Sequence, residues 1–168
     1  MNIEEYQKII EQTAIYPKQV NNFGLAYCYL GLLGELNEFD EACDIDNTEE
    51  AVKKEAGDVL WYITAFCIEA DINLSDVWNY IERGETLPTI PELAEYIKKY
   101  YRDNKSLNKE LFVKCLKRLI HYMEFTWYEY FDTTLDWNEI RQINYDKLIA
   151  RRTTNTLHGD GDNREVTE

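Results

Sequence analysis

Residues 31–62 read GLLGELNEFDEACDIDNTEEAVKKEAGDVLWY, and this stretch decides the fold class. Apolar side chains recur at near-helical spacing on both sides of a short polar connection at residues 44–47. On the two sides they are Phe23, Tyr27, Leu30, Leu33 and Leu36, then Val52, Ala56, Val59, Leu60 and Ile63. Thr48 followed by two glutamates is typical of a helix start, because the helix dipole favours negative charge there. The stretch therefore predicts two antiparallel helices joined by a turn.

The rest of the chain extends the helical pattern. Seven glycines and three prolines in 168 residues leave long segments without either helix breaker. The spacing predicts helices over residues 2–13, 19–43, 48–70, 76–82, 91–101, 108–131 and 137–152. The predicted fold class is an all-α bundle. We expect a single domain over residues 1–152 and a polar C-terminal tail over residues 153–168.

Composition restricts the classes of partner. The formal net charge of −14 argues against nucleic acid and anionic membranes, because both require clustered Lys and Arg. The acidic N-terminus does not resemble a signal peptide, and residues 23–33 are too short an apolar run to span a bilayer. Four scattered cysteines without a CxxC pair fit reduced thiols in a cytoplasmic protein.

Two acidic pairs stand out in the stretch quoted above. Glu35-x-x-Glu38 and Glu55-x-x-Asp58 are separated by sixteen residues that include the turn. Positions i and i+3 lie about 60° apart around a helix axis, so each pair points to one side. An antiparallel hairpin would let all four carboxylates face one another, and their repulsion favours a bound divalent cation such as Mg²⁺ or Mn²⁺.

The alternative is that these acids are solvated side chains of an acidic protein. The same i, i+3 pattern occurs at Glu92 and Glu95 and at Glu38 and Glu41, so one pair alone carries no weight. Two other metal sites are disfavoured. Residues 44–55 imitate a calcium-binding EF-hand loop but have Glu49 where the sharp turn requires glycine. Neither histidine follows a glutamate by three positions, as a di-iron bundle requires.

The complete acid pattern resembles the signature of the MazG-like all-α nucleoside triphosphate pyrophosphohydrolases. The strings at residues 31–35 and 57–62 are similar to the two core strings of that family, and residues 13–17 are similar to the end of its first helix. Lys147-Leu148-x-x-Arg151, followed by residues 157–164, resembles its closing segment. Two departures are visible: Asn37 stands where many members have glycine, and residues 83–139 look like inserted helices.

The resemblance implies Mg²⁺-dependent hydrolysis of a nucleoside or deoxynucleoside triphosphate to the monophosphate and pyrophosphate. Glu35, Glu38, Glu55 and Asp58 would hold the metal, with Mn²⁺ as a substitute, and would carry the catalysis. Lys147, Arg151 and Arg164 would contact the phosphates. Trp61 would either stack on the base or pack in the core.

The sequence leaves several alternatives open. The same fold could be specialised for dUTP, dCTP or (p)ppGpp, or the chain could be a non-catalytic acidic helical binding protein. We expect self-association as a homodimer or tetramer, because a bundle of this size is too small to close a deep site alone. The sequence does not identify which acid would act as the general base.

Overall fold

The computed structural model describes residues 1–14, 16, 23–78, 88–103 and 106–154. Every regular element in these residues is helical, which confirms the predicted all-α class. The helices are α1 (Ile3–Thr13), α2 (Gly24–Glu41), α3 (Glu49–Glu69), α4 (Leu74–Val77), α5 (Ile90–Asp103), α6 (Lys109–Phe131) and α7 (Trp137–Thr153). The predicted tail lies outside the described residues from residue 155 onward.

Helix starts follow from local chemistry. Asn2 and Glu5 form a capping box at α1, in which each side chain accepts a hydrogen bond from the other residue's backbone N–H. The Thr48 hydroxyl caps α3 by accepting from the Ala51 N–H, and Asp136 caps α7. The predicted start of the third helix at residue 48 is therefore correct to within one residue.

Several predicted helix boundaries need correction. The α-helical part of α2 ends at Glu41, not at residue 43, and continues as a π-helical turn, Ala42–Asp46. Asn47 ends that turn in the left-handed region with φ of 45°, a conformation that asparagine tolerates better than most residues. Helix α4 begins at Leu74 and ends at Val77, whereas the sequence predicted residues 76–82. Residues 79–87 lie outside the described residues, as do residues 19–22 of the predicted second helix.

Helix α3 is the centre of the bundle. It packs against α1, α2, α6 and α7, and ten of its residues are buried. Leu32 of α2 and Leu60 of α3 are fully buried, and each such side chain contributes about 1.5–3 kcal/mol of hydrophobic stabilisation. Helix α6, within the segment interpreted as inserted helices, supplies Phe112, Leu116 and Trp127 to the same core.

Glycines permit two close helix approaches at the centre. A Cβ atom on Gly31 would lie 2.0 Å from the Tyr62 ring, so the ring of α3 occupies the space that this α2 glycine leaves open. A Cβ atom on Gly57 would lie 3.2 Å from Cβ of Asn144, so α7 approaches α3 closely at that point. Both contacts lie beside the residues that form the acidic cluster described next.

Candidate metal centre

Three of the four predicted acids come together between α2 and α3. Glu35 projects from α2, and Glu55 and Asp58 project from α3. One carboxylate oxygen from each residue lies within 4.8 Å of the others, and all three side chains are half-buried. We call this group the acidic cluster. The helical hairpin thus brings one acid of the first sequence pair together with both acids of the second.

Glu38 is placed differently from the other three acids. Its side chain is exposed, and it is not a member of the acidic cluster. Its charge nevertheless reaches Glu35, because it is one of the causes that raise the pKa of that carboxyl group. Glu38 therefore lies at the rim of the cluster and contributes to its negative potential from the solvent side.

The electrostatics of Glu35 reflect the crowding of acids. Burial is the largest cause that raises its pKa, and the charges of Asp58, Glu38 and Glu55 raise it further. Lys147 opposes them, and the result is a pKa of about 7. A carboxyl group with that pKa holds a proton for much of the time at neutral pH. Burial and the neighbouring acids thus oppose ionisation of Glu35, and an added cation would favour its ionised form.

Two lysines face the acidic cluster. The Lys147 ammonium on α7 donates to Oδ2 of Asp58, and both side chains are largely buried, with 17% and 16% of their surfaces exposed. Lys54 lies 3.0 Å from Oε1 of Glu55 and is more exposed. The structure thus brings the predicted phosphate-binding residue Lys147 to the acids themselves.

The other predicted substrate contacts are Arg151, Trp61 and Arg164. Arg151 lies on α7, one turn beyond Lys147, and is half-buried. Trp61 lies one turn beyond Asp58 on α3, and its ring meets the edges of Tyr16 and Tyr62 at centroid distances of 6.2 Å and 4.7 Å. Its indole N–H is buried and has no hydrogen-bond partner among the described residues. Arg164 lies outside the described residues.

Two residues at the cluster were missed by sequence reasoning. The Asn144 amide nitrogen on α7 donates to Oδ1 of Asp58 at 3.2 Å, and the Tyr6 hydroxyl on α1 donates to Oδ1 of Asn144 at 2.7 Å. In the sequence, Tyr6 is indistinguishable from the other residues on the apolar face of α1. The available signal was the position of Asn144, three residues before Lys147 and therefore on the same side of α7.

The stretch that imitates a calcium loop has a structural role. Residues 42–46 form the π-helical turn, and Thr48 is the N-cap of α3. Asp44 accepts a hydrogen bond from the Tyr130 hydroxyl on α6. Residues 42–46 and 49–55 are thus helical, as the sequence argument against an EF-hand loop expected for the residues after Thr48.

The donor atoms of the acidic cluster suit a hard divalent cation. All three are carboxylate oxygens, the ligand type that Mg²⁺ and Mn²⁺ prefer. By the same criterion the cluster is a poor site for zinc in the structural role, which favours sulfur and nitrogen ligands. The residues present therefore fit the metal that the sequence resemblance implies.

Comparisons with protein-family models, with curated proteins and with solved structures give no match for the chain. Among the described residues, no helix combines the length and apolarity that crossing a membrane would require.

Proposed function

We propose that the chain is a Mg²⁺-dependent nucleotide pyrophosphohydrolase with a MazG-like helical bundle, acting on nucleoside or deoxynucleoside triphosphates. The observation that carries the proposal is the convergence of Glu35, Glu55 and Asp58 within 4.8 Å across the α2–α3 hairpin. These are three of the four acids in the sequence pattern that resembles this family. Arrangement and pattern are independent supports, because spacing alone does not fix which way the helices rotate.

In this proposal Glu35, Glu55 and Asp58 hold Mg²⁺ or Mn²⁺, and Glu38 joins them from the rim. The ion would neutralise phosphate charge and increase the acidity of the attacking water. The carboxylates supply oxygen ligands in a half-buried site, where electrostatic interactions are stronger than in bulk water. The raised pKa of Glu35 means that cation binding competes with a proton near pH 7.

The chain's cationic residues would bind and orient the triphosphate. Lys147 donates a hydrogen bond to Asp58 of the acidic cluster, and Arg151 lies one turn away on the same helix. Water would form a new bond to the α-phosphorus while the bond from the α-phosphorus to the α,β-bridging oxygen breaks. Pyrophosphate leaves, and the proton of the water passes to a carboxylate of the cluster. Lys147 and Arg151 would offset the charge on the leaving pyrophosphate.

Trp61 is the described residue that bears on substrate choice. Trp61 follows Asp58 by three residues and therefore lies on the same side of α3, which supports a contact with the base. Its ring also packs against Tyr16 and Tyr62. A dUTP, dCTP or (p)ppGpp specialist would use the same acids. We further propose a cytoplasmic role in nucleotide-pool housekeeping, with assembly as a homodimer or tetramer. An acidic binding protein is the rival from another class, favoured only by the net charge of −14.

The test is release of pyrophosphate and monophosphate from a panel of NTPs, dNTPs and ppGpp, with Mg²⁺ or with EDTA. Glu55→Gln is compared with Glu95→Gln, because Glu95 belongs to an E-x-x-E pair of the same spacing on α5 but is exposed. We expect Mg²⁺-dependent release that Glu55→Gln abolishes and Glu95→Gln leaves unchanged. Equal loss in both variants, or no release from folded wild type, contradicts the proposal.

A further inference from the structure

A chain of hydrogen bonds connects α1 to the acidic cluster through α7. The Tyr6 hydroxyl donates to the side-chain oxygen Oδ1 of Asn144, and the side-chain nitrogen Nδ2 of Asn144 donates to Oδ1 of Asp58. Tyr6 is fully buried, and only 2% of the Asn144 surface is exposed. Because both groups lie away from water, a hydrogen bond left unmade would leave a buried polar group without a partner, which is unfavourable. The chain is therefore strongly favoured in the folded protein.

The direction of the chain is determined by the carboxylate at its end. A carboxylate can only accept, so the Asn144 side chain must turn its amide N–H₂ group toward Asp58. That orientation directs the amide oxygen of Asn144 toward Tyr6, whose hydroxyl donates to it. The reverse orientation would place the amide oxygen against the carboxylate. Burial, with the nearby charge of Asp58, raises the pKa of Tyr6 well above its ordinary value, so the hydroxyl retains the hydrogen that this bond requires.

Backbone packing holds Asn144 in place over the carboxylate. Gly57, the residue before Asp58, has no Cβ, and an added one would lie 3.2 Å from Cβ of Asn144. The approach of α7 to α3 at this glycine brings the Asn144 amide to Oδ1 of Asp58. Lys147, one turn further along α7, donates to Oδ2. Both carboxylate oxygens of Asp58 therefore have a protein donor, which restricts rotation of the group.

We propose that Tyr6 and Asn144 are positioning residues that fix the Asp58 carboxylate for a divalent cation shared with Glu35 and Glu55. The inference rests on the proposed function, since it assigns these residues to that same cation. Each oxygen of Asp58 has lone pairs left after accepting one hydrogen bond, so a fixed carboxylate can still bind metal. Hydrogen bonds to metal ligands of this kind change metal affinity by about 10- to 100-fold when removed.

The test is Mn²⁺ binding by isothermal titration calorimetry at pH 8 without nucleotide. Tyr6→Phe removes only the hydroxyl, and Asn144→Leu removes the amide at similar volume. Tyr29→Phe is the matched control, because its half-buried hydroxyl donates to the Ile90 carbonyl oxygen, outside the chain of hydrogen bonds. We expect Asn144→Leu to weaken Mn²⁺ binding by about tenfold or more and Tyr6→Phe to weaken it by a smaller factor. Tyr29→Phe should bind as wild type does.

The outcomes separate this inference from the proposed function. Wild-type Mn²⁺ affinity in folded Tyr6→Phe and Asn144→Leu overturns the positioning role and leaves the metal site standing. If Asn144→Leu does not fold, Tyr6→Phe decides alone, since it keeps the ring that packs in the core. Failure of the wild type itself to bind Mn²⁺ contradicts the proposed function, and the positioning role fails with it. Thermal melting of each variant in EDTA verifies that the measured affinities belong to folded protein.

Discussion

The Lys147 ammonium donates a hydrogen bond to Oδ2 of Asp58, and the two residues are 89 positions apart in the chain. The pair links α7 to the acid-bearing face of α3 and places one positive charge among three carboxylates. Lys147 also lowers the pKa of Glu35, against the larger effects of burial and of the neighbouring acids. The lysine therefore offsets only part of the rise in the Glu35 pKa that burial and the neighbouring acids cause.

Replacing this lysine should destabilise the metal-free protein. In Lys147→Met the Asp58 carboxylate loses a charged donor in a largely buried position, and we expect a loss of about 1–3 kcal/mol in the free energy of unfolding. Mn²⁺ should restore part of the loss, because it supplies positive charge to the same carboxylate. Urea denaturation with EDTA and with Mn²⁺ measures both effects. Lys98→Met, which breaks an exposed pair with Glu95, is the control and should change little.

Stability of the metal-free protein should depend on pH through Glu35. Its pKa is raised from 4.5 to about 7, so the folded state holds a proton that the unfolded chain has released. Between these values the free energy of unfolding must fall as pH rises, and it levels off above about pH 7. Urea denaturation in EDTA from pH 5 to 8 should show that the free energy of unfolding of wild type falls relative to that of Glu35→Gln as the pH rises. Parallel curves for the two proteins contradict the assignment.

Two glycines on α2 give opposite expectations. Gly31→Ala places a methyl group 2.0 Å from the Tyr62 ring, and we expect a loss of about 1–3 kcal/mol from overpacking. Gly34→Ala meets no described atom within 4 Å and should gain up to about 1 kcal/mol, because alanine is the better helix former. Thermal or chemical denaturation distinguishes them. Equal changes in both variants are inconsistent with the packing described.

The position of Glu38 predicts an unequal role for the four acids. Glu38 is exposed, whereas Glu55 belongs to the half-buried acidic cluster. We therefore expect Glu38→Gln to reduce Mn²⁺ affinity by a smaller factor than Glu55→Gln does. Calorimetric titration of both variants under one buffer condition gives the comparison. A larger loss in Glu38→Gln would mean that its side chain turns inward when the ion binds.

The helices, and the meeting of Glu35 with Glu55 and Asp58 across the hairpin, could be predicted because their sequence signals are local. Helical periodicity, Thr48 as a cap and the short polar connection all lie within a few residues of the features they determine. The different exposure of Glu35, which is half-buried, and Glu38, which is exposed, was not predictable, because helix rotation depends on contacts such as Tyr62 against Gly31. The hydrogen bond between Tyr6 and Asn144 joins residues 138 positions apart, and neither residue has a local pattern that indicates the other.

The most direct test of the central claim is to identify the products of triphosphate hydrolysis in ¹⁸O-labelled water with Mg²⁺ present. We predict equal amounts of nucleoside monophosphate and pyrophosphate, with the label in the monophosphate, because water attacks the α-phosphorus. EDTA and Asp58→Asn should abolish both products. Release of orthophosphate with a nucleoside diphosphate, or no product from folded protein across the nucleotide panel, would contradict the account.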